Sequence, residues 1–488
     1  EEGHFEEAWR SLVENNPMPA IHGRVCYHPC EDNCNRAKLD STVSIHAVER
    51  FLGDKALQEG WRFRIDAGPS HKRVLVVGAG PSGLSAAYHL ARFGHGVEIH
   101  EAGPMAGGMM HFGIPKYRLP RDVLDGEVKR IEDMGVKIVL NHKVEDLLAE
   151  TEAGHFDAAF VAVGAHLSKR TDVPARDAGA ILDAVSFLRD VDSGVIPKLG
   201  RRVAVYGGGN TAMDAARTAK RLGFEPLIIY RRDREHMPAH DFEATEALEE
   251  GVDIHWLRTI KEIEGASFKV EVMRINDQGR PEPTGEFETL EADSLIMALG
   301  QDTDTGFMRS VPGIEFDRDS TVQVNDNMMT GHEGIFAGGD MVPSERTVTV
   351  GVGHGKKAAR HIDAYLKGET YSNPEPHALA SFDKLHVWFF TDAKQRPQSH
   401  LDLPDRQTSF EEVIGGLSER EALYESKRCL SCGNCFECDG CYGACPEDAV
   451  IKLGPGKRYE YNYDLCTGCA VCFEQCPCHA IEMIPEPD

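Results

Sequence analysis

The chain has 488 residues, which at ~150 residues per domain makes room for roughly three domains. With 41% apolar and 27% charged residues it is a folded globular chain and not a disordered one. A net charge of −26 excludes a nucleic-acid binder with a basic face and a protein docked on anionic lipid, and no apolar run is long enough to span a bilayer.

Glu1 to Glu7 are acidic and lack a signal-peptide pattern, and the missing initiator Met suggests a trimmed chain. Of the 14 cysteines, three stand at 26, 30 and 34, the rest lie from 429 to 478, and none falls between. Two dense groups flanking a cysteine-free body suggest metal centres in a reducing, cytoplasmic setting, and not a disulfide framework.

Residues 1–68 read as helical, with Asp40-Ser41-Thr42 offering caps ahead of Ile45, Val48, Phe51 and Leu52 at helical spacing. Gly68-Pro69-Ser70 is a linker. A strand over 73–77, a glycine-rich turn, a helix to about Phe93 and a strand over 97–101 follow. Residues 121–134 form a helix closed by Gly135, and 136–140 and 156–163 read as buried strands. A second, similar unit starts with a strand over 202–206, a helix over 211–222 and a strand over 227–230. Phe268 to Val272 alternates ahead of the Asp277-Gln278-Gly279 turn, which predicts a hairpin. A strand over 294–299 and a helix over 348–366 complete the body. Residues 373–424 are Pro- and charge-rich and read as a connecting arm; 425–488 are a separate Cys-rich module.

That module repeats itself. Cys435-x2-Cys438-x2-Cys441-x3-Cys445-Pro446 recurs, 31 residues on, as Cys466-x2-Cys469-x2-Cys472-x3-Cys476-Pro477. In such a bacterial ferredoxin run the fourth Cys ligates the other cluster. One [4Fe-4S] cluster is therefore assigned to Cys435, Cys438, Cys441 and Cys476, the other to Cys466, Cys469, Cys472 and Cys445. A zinc module would use paired Cys-x2-Cys knuckles, not quartets ending in Cys-Pro.

The body carries two dinucleotide motifs. Gly78-Ala79-Gly80-Pro81-Ser82-Gly83 follows a strand and opens a helix, and Glu101 ends the next strand, where an acid binds ribose hydroxyls. Gly207-Gly208-Gly209-Asn210-Thr211-Ala212 repeats the logic, but its second strand ends in Tyr230-Arg231-Arg232. Arginine there can pair with a 2′-phosphate, favouring NADP over NAD; the alternative is a solvated charge run. One Rossmann unit nested in another is a flavoprotein arrangement. In Ile335-Phe336-Ala337-Gly338-Gly339-Asp340 the Asp would meet the ribityl chain, with Thr347 and Val348 opening the next helix toward the flavin ring. Leu299-Gly300-Gln301 would cross between the two domains. Val144 and Gly164 join the flavin set. No acid–base catalytic residue is assigned, because the cofactors do the chemistry.

Gly23-Arg24-Val25-Cys26, Cys30-Glu31 and Cys34 resemble the N-terminal cluster motif of the glutamate synthase small-subunit family. Gly107-Gly108-Met109, Gly113-Ile114-Pro115 and Tyr117-Arg118-Leu119-Pro120 resemble its flavin loop, and Gly208 to Asp214, Tyr230-Arg231-Arg232 and Met237-Pro238 its NADP segment. The resemblance implies an α/β fold: a helical iron–sulfur domain (1–68), an FAD domain (69–195 and 295–372), a nested NAD(P) domain (196–294), the arm, and a ferredoxin-like α+β module. It implies FAD at Gly108, Met109 and Arg118, NAD(P) at Asn210, Thr211 and Asp214, and one further [4Fe-4S] cluster on Cys26, Cys30 and Cys34. Glu49 is a candidate fourth ligand, although a surface glutamate is the plainer reading, and Cys429 or Cys432 is an alternative. The four-Cys stretch that the family carries upstream of Cys26 is missing, and Arg428-Cys429-Leu430-Ser431-Cys432 resembles its start.

With its tail, the whole chain resembles a subgroup of NAD(P)H:acceptor oxidoreductases. The subgroup includes the iron–sulfur flavoprotein of the dissimilatory sulfite reductase system and the NADPH-dependent Fe(III) reductase β subunit. The resemblance implies electron transfer, in either direction, between NAD(P)H and a protein partner, as a subunit of a complex or a homo-oligomer. The partner would be a sulfite reductase, a 2-oxoacid oxidoreductase or a ferredoxin-type acceptor. The rivals are a glutamate synthase small subunit and a non-catalytic wiring subunit. A dithiol disulfide reductase is excluded by the Cys-free interval.

Overall fold

The computed structural model describes residues 2–169, 173–177, 179–375 and 379–485. The N-terminal segment is helical, as expected. Helices Phe5–Val13 and Ile45–Glu59 close on Trp9, which is fully buried and stacks on Phe63 at 5.4 Å. Pro19–Val25 and Ile45–Glu59 cross at backbone contact because glycines face each other's chain. A Cβ on Gly53 would lie 2.3 Å from Ala20 N, and one on Gly23 2.3 Å from Arg50 Cβ. That crossing fixes where Cys26 leaves the helix. The expected caps do not cap: Ser44 precedes Ile45–Glu59 with no side-chain cap bond. Asp40 is instead the counter-ion of Arg36 and Arg428, because two buried guanidinium groups need a carboxylate more than an exposed helix end does.

The flavin-type sheet is parallel, in the order Ile335–Ala337, Ala158–Val161, Arg73–Val77, Gly96–His100, Lys137–Val139. Its central strands are continuous Val, Ile, Ala and Phe because helices cover them. Pro81–Arg92 and Val348–Lys367 pack so closely that a Cβ on Gly355 would lie 2.2 Å from Ser82 O. Lys137–Val139, expected to be buried, is a half-exposed edge strand.

The nested sheet runs Asp253–Trp256, Glu225–Tyr230, Arg202–Tyr206, Ser294–Met297, Ile181–Asp183, also parallel. Ile181–Asp183 was expected in the flavin domain (69–195), yet it pairs with Ser294–Met297. The reason is its length: three residues carry no periodicity, and only the partner strand gives them a sheet. The predicted hairpin is present as Ser267–Ile275 with Pro281–Glu291. The crossover is a two-stranded ribbon, Gln301–Asp302 on Leu167–Ser168.

Residues 373–424 are more than a spacer. Arg406, on the helix Leu403–Thr408, pairs with Glu250 at 3.3 Å and Glu249 at 3.2 Å. Leu417 and Ala422 pack on Ala47. The fully buried Glu425 accepts from Ser44 N at 3.0 Å and Arg396 N at 2.6 Å. The Pro-rich composition reports the missing regular structure, not missing contacts.

Candidate functional site

A cleft of about 630 Å³ opens along the carboxyl ends of the flavin-type strands, inside the range of cofactor sites. Gly78, Gly80, Pro81, Ser82, Glu101, Gly108, Met109, Arg118, Val144, Gly164, Gly339, Asp340, Thr347 and Val348 all line it. Gly83 alone of the flavin set stands back: a Cβ there would lie 2.0 Å from Gly78 O, so it lets the helix Pro81–Arg92 meet the strand. Gly78 has φ +102, and its Cβ would strike Ala162 O at 2.5 Å; Gly80 faces open space, where backbone can approach a diphosphate.

The donors around this cleft fit a dinucleotide. Among the described residues, Ser82 Oγ is buried with no hydrogen-bond partner and lines the cleft. Glu101 accepts from Ala79 N and Gly103 N, both at 2.7 Å, so its carboxylate is held still and faces the cleft. Burial pushes the Asp340 carboxyl up to about 6, against the opposing pull of Arg346. Thr347 Oγ1 accepts from Val350 N at 3.1 Å, which caps the helix that points its N-terminus at the cleft.

The second motif faces the same cleft. Asn210 and Thr211 line it, Gly209 faces open space, and Gly207 has φ +149. Arg231 is exposed and Arg232 half-buried just past the strand Glu225–Tyr230. Gly300, with φ +106, stands at the crossover ribbon and not in the cleft. Asp214, expected to meet the nucleotide, also lines the cleft. Its carboxylate is taken by Arg118 at 2.8 Å, and Arg118 also pairs with Glu243 at 2.7 Å. A buried cation between two carboxylates clamps the flavin loop to the nested domain.

No disulfide joins any of the described cysteines. The tail's sequence repeat is also a backbone repeat. Asp439 and Ala470 both adopt φ 63 and cap the short helices Gly440–Ala444 and Val471–Gln475. Ala449 N donates to Cys445 Sγ at 3.3 Å, and Ala480 N to Cys476 Sγ at 3.2 Å. Left-handed non-glycine residues and N–H groups aimed at sulfur fit cluster ligation. Among the described residues, the triads of potential ligand atoms within 4.8 Å of one another are His28–Glu31–His46 and His100–His142–Glu150, with no cysteine in either.

At the N-terminus the cysteines divide. Burial raises the Cys30 thiol to about 11, with Glu31, Cys26 and Glu49 adding their charge. Burial also raises Glu49 to about 7, although Asn16 Nδ2 donates to it at 2.6 Å. It is therefore not a surface glutamate. Cys34 instead neighbours Cys429. Thr349 Oγ1 donates to Cys26 Sγ at 3.2 Å, and Val25 and Tyr27 line the flavin-type cleft on either side of that thiol. Sequence reasoning missed Tyr27, whose hydroxyl accepts from Asn210 Nδ2 at 2.6 Å, and Thr349. Tyr27 sits inside the quoted Cys motif, which was the available signal; Thr349 had none.

Two nucleotide cradles facing one cleft, with cysteine-rich modules at both ends, define an iron–sulfur flavoprotein of the double-Rossmann class. Residues 72–355 match the pyridine nucleotide-disulphide oxidoreductase family, and the chain belongs to it. Residues 1–61 match the dihydropyrimidine dehydrogenase domain II, 4Fe-4S cluster family, and 459–482 the 4Fe-4S binding domain. The chain is 36% identical over 479 residues to the NADP(+)-dependent formate dehydrogenase subunit beta of Moorella thermoacetica, covering 88% of this chain and 67% of that protein. It is 33% identical to the NADPH-Fe(3+) oxidoreductase subunit beta of Geobacter sulfurreducens, covering 88% and 71%. The expected kinship with glutamate synthase small chains holds: a putative one from Cereibacter sphaeroides is 34% identical, covering 74% of this chain and 94% of that protein. FprA from Mycobacterium tuberculosis shares the fold, with TM-score 0.53 at 18% identity over 62% of this chain and 87% of that one. No helix among the described residues is long and apolar enough to cross a membrane.

Proposed function

We propose that the chain moves electrons between NADPH and a redox partner protein, with FAD in the large cleft and [4Fe-4S] clusters at both ends. The observation that carries this reading is Cys26: its thiol touches Thr349 on the helix that opens on the cleft, so an N-terminal cluster would stand at the flavin's edge. Bound FAD supplies the exchange between a two-electron hydride and single electrons.

The protein positions and tunes. Ser82 and the turn at Gly78 and Gly80 receive the diphosphate, Glu101 the ribose, and Asp340 the ribityl chain. The helix N-terminus at Thr347 and Val348 favours negative charge on the ring. Arg231 and Arg232 stand where a 2′-phosphate would lie. The Arg118–Asp214 pair holds the two domains in register. The cluster ligands are the tail quartets and, at the N-terminus, Cys26 and Cys30 with Glu49.

The named relatives are subunits of larger oxidoreductases, so the partner is read as another redox protein: a sulfite reductase, a 2-oxoacid oxidoreductase or a ferredoxin-type acceptor. An assay of NADPH oxidation by the isolated, loaded chain with an artificial dye tests the reading. Turnover is expected. A chain that binds FAD and reduces no dye would leave it a wiring subunit.

A further inference from the structure

Three side chains that the proposed electron path does not use meet beside Glu101. His100 closes the strand Gly96–His100 and is 6% exposed. His142 follows the edge strand Lys137–Val139, and its loop is pinned to the residues after His100. His142 N donates to Glu101 O at 2.8 Å, and Asn141 N to Gly103 O at 2.9 Å. Glu150 comes from the helix Leu147–Ala153. Its Oε1 lies 2.8 Å from His100 Nδ1 and 2.8 Å from His142 Nε2, and the two imidazole rings meet edge to face at 4.5 Å. The three ligand atoms all fall within 4.8 Å of one another.

The other nitrogen of His100 decides what this cluster can hold. His100 Nε2 faces Glu98 Oε1 at 3.0 Å. Burial works against the charge of Glu98, but Lys137 at 2.9 Å and His100 win and hold its carboxyl below the ordinary range. An ionised carboxylate only accepts, so Nε2 carries the proton and the neutral ring turns a lone pair outward at Nδ1. Among the described residues, Nδ1 is buried and makes no hydrogen bond, because Glu150 Oε1 stands at contact distance but out of line. Two acceptors thus face each other, and among the described residues neither Lys nor Arg pairs with Glu150. A carboxylate behind one imidazole nitrogen and convergent donors before the other is the arrangement that surrounds a metal-bound histidine.

We infer that His100 Nδ1, His142 Nε2 and Glu150 Oε1 bind a divalent transition ion of the Zn²⁺ class, with water completing a tetrahedron. Zn–N and Zn–O bonds of about 2.0–2.2 Å set tetrahedral donors about 3.4 Å apart, so each 2.8 Å pair needs to open by only about half an ångström. Two imidazoles with one carboxylate suit zinc, whereas calcium and magnesium take oxygen ligands. The ion ties the ends of two strands and the helix Leu147–Ala153 into one wall. His100 and His142 border the flavin-type cleft, so that wall is the one that carries Glu101. The site uses no cysteine, and the inference stands whether or not the flavin reading does.

Zinc content and zinc-edge X-ray absorption of the loaded full chain, dialysed against micromolar Zn²⁺, test it. The wild type should hold about one zinc more per chain than His142→Ala or Glu150→Gln. The zinc that those variants lose should show nitrogen and oxygen neighbours at about 2.0–2.2 Å, with imidazole scattering and no sulfur at about 2.3 Å. Added Zn²⁺ should raise the melting temperature of the wild type and of neither variant, since the ion binds the folded site alone. His155→Ala removes an exposed histidine nearby in the chain and should keep the ion. Both ligand variants replace partly exposed side chains, and circular dichroism checks that they fold. The inference fails if the wild type and both ligand variants take up the same zinc, or if that zinc is bound by sulfur. It also fails if the wild type retains none, which would make His100 an imidazolium held between Glu98 and Glu150.

Discussion

The Thr349 hydroxyl donates to Cys26 Sγ at 3.2 Å, joining residues 323 apart in the chain across the boundary between the helical N-terminal domain and the flavin-type cleft. Hydrogen bonds to a ligating sulfur tune an iron–sulfur centre. Thr349→Val should keep bound FAD and its bleaching by NADPH, and should slow electron transfer out of the flavin several-fold. Cys26→Ser should stop it. Stopped-flow absorbance separates the two steps; an unchanged second step in both variants would remove Cys26 from the path.

Arg231 and Arg232 follow the strand Glu225–Tyr230, and Arg232 Nε is buried with no partner among the described residues. Replacing both with Ala should raise KM for NADPH far more than for NADH. A lost charge-assisted phosphate contact costs about 1.5–3 kcal/mol, or roughly ten- to hundredfold. Equal changes for both nucleotides would sink the 2′-phosphate role.

Glu250 is fully buried and pairs with Arg217 at 2.7 Å and Arg221 at 2.6 Å, with Arg406 of the arm at 3.3 Å. Burial works against its charge, but the two guanidinium groups win and bring its carboxyl down to about 2. Glu250→Ala strands buried cations and should cost about 3–5 kcal/mol, read by urea unfolding of the nested domain. A loss under about 1 kcal/mol would show that water reaches the arginines.

Glu127 is fully buried, accepts from Ala20 N at 2.9 Å and pairs with Arg130 at 2.9 Å. Burial outweighs Arg130 and pushes its carboxyl from 4.5 up to about 7. The folded chain therefore holds this proton more tightly than the unfolded one. The resulting stabilisation is complete below about 4.5 and lost as pH rises through about 7. Glu127→Gln should flatten stability between pH 5 and pH 7.5, measured by denaturant melts; an equally steep profile in the variant would assign the slope elsewhere.

The arm and the buried Arg36–Asp40–Arg428 ion pairs set where the tail can be cut. A chain ending after Arg428 should keep FAD and dye reduction while delivery to a protein acceptor collapses. A chain ending after Tyr424 loses Glu425 and Arg428, and should also melt several degrees lower. Equal melting of the two chains would contradict that role.

Much of the body was legible because its signals are short-range. Val-rich strands, glycine turns and Glu101 lie within one βαβ unit, and the structure gathers the flavin set around one cleft apart from Gly83. Asp214 lines the cleft with the rest of the second motif, but its pairing with Arg118, which comes from another domain, could not be read from the motif. Ile181–Asp183 was misplaced because a three-residue strand borrows its identity from Ser294–Met297.

The sequence by itself determined the ligand inventory: which thiols exist, that two quartets repeat at a 31-residue offset, and that two nucleotide turns stand on strands. Those are properties of spacing, and spacing is local. Only the tertiary structure decided how the remaining thiols divide. Asn35 and Cys432 are 397 residues apart, and no periodicity spans that distance. They meet because Arg36 and Arg428 are both buried and both need Asp40 and the carbonyls around it, so satisfying two desolvated charges carries Cys34 to Cys429.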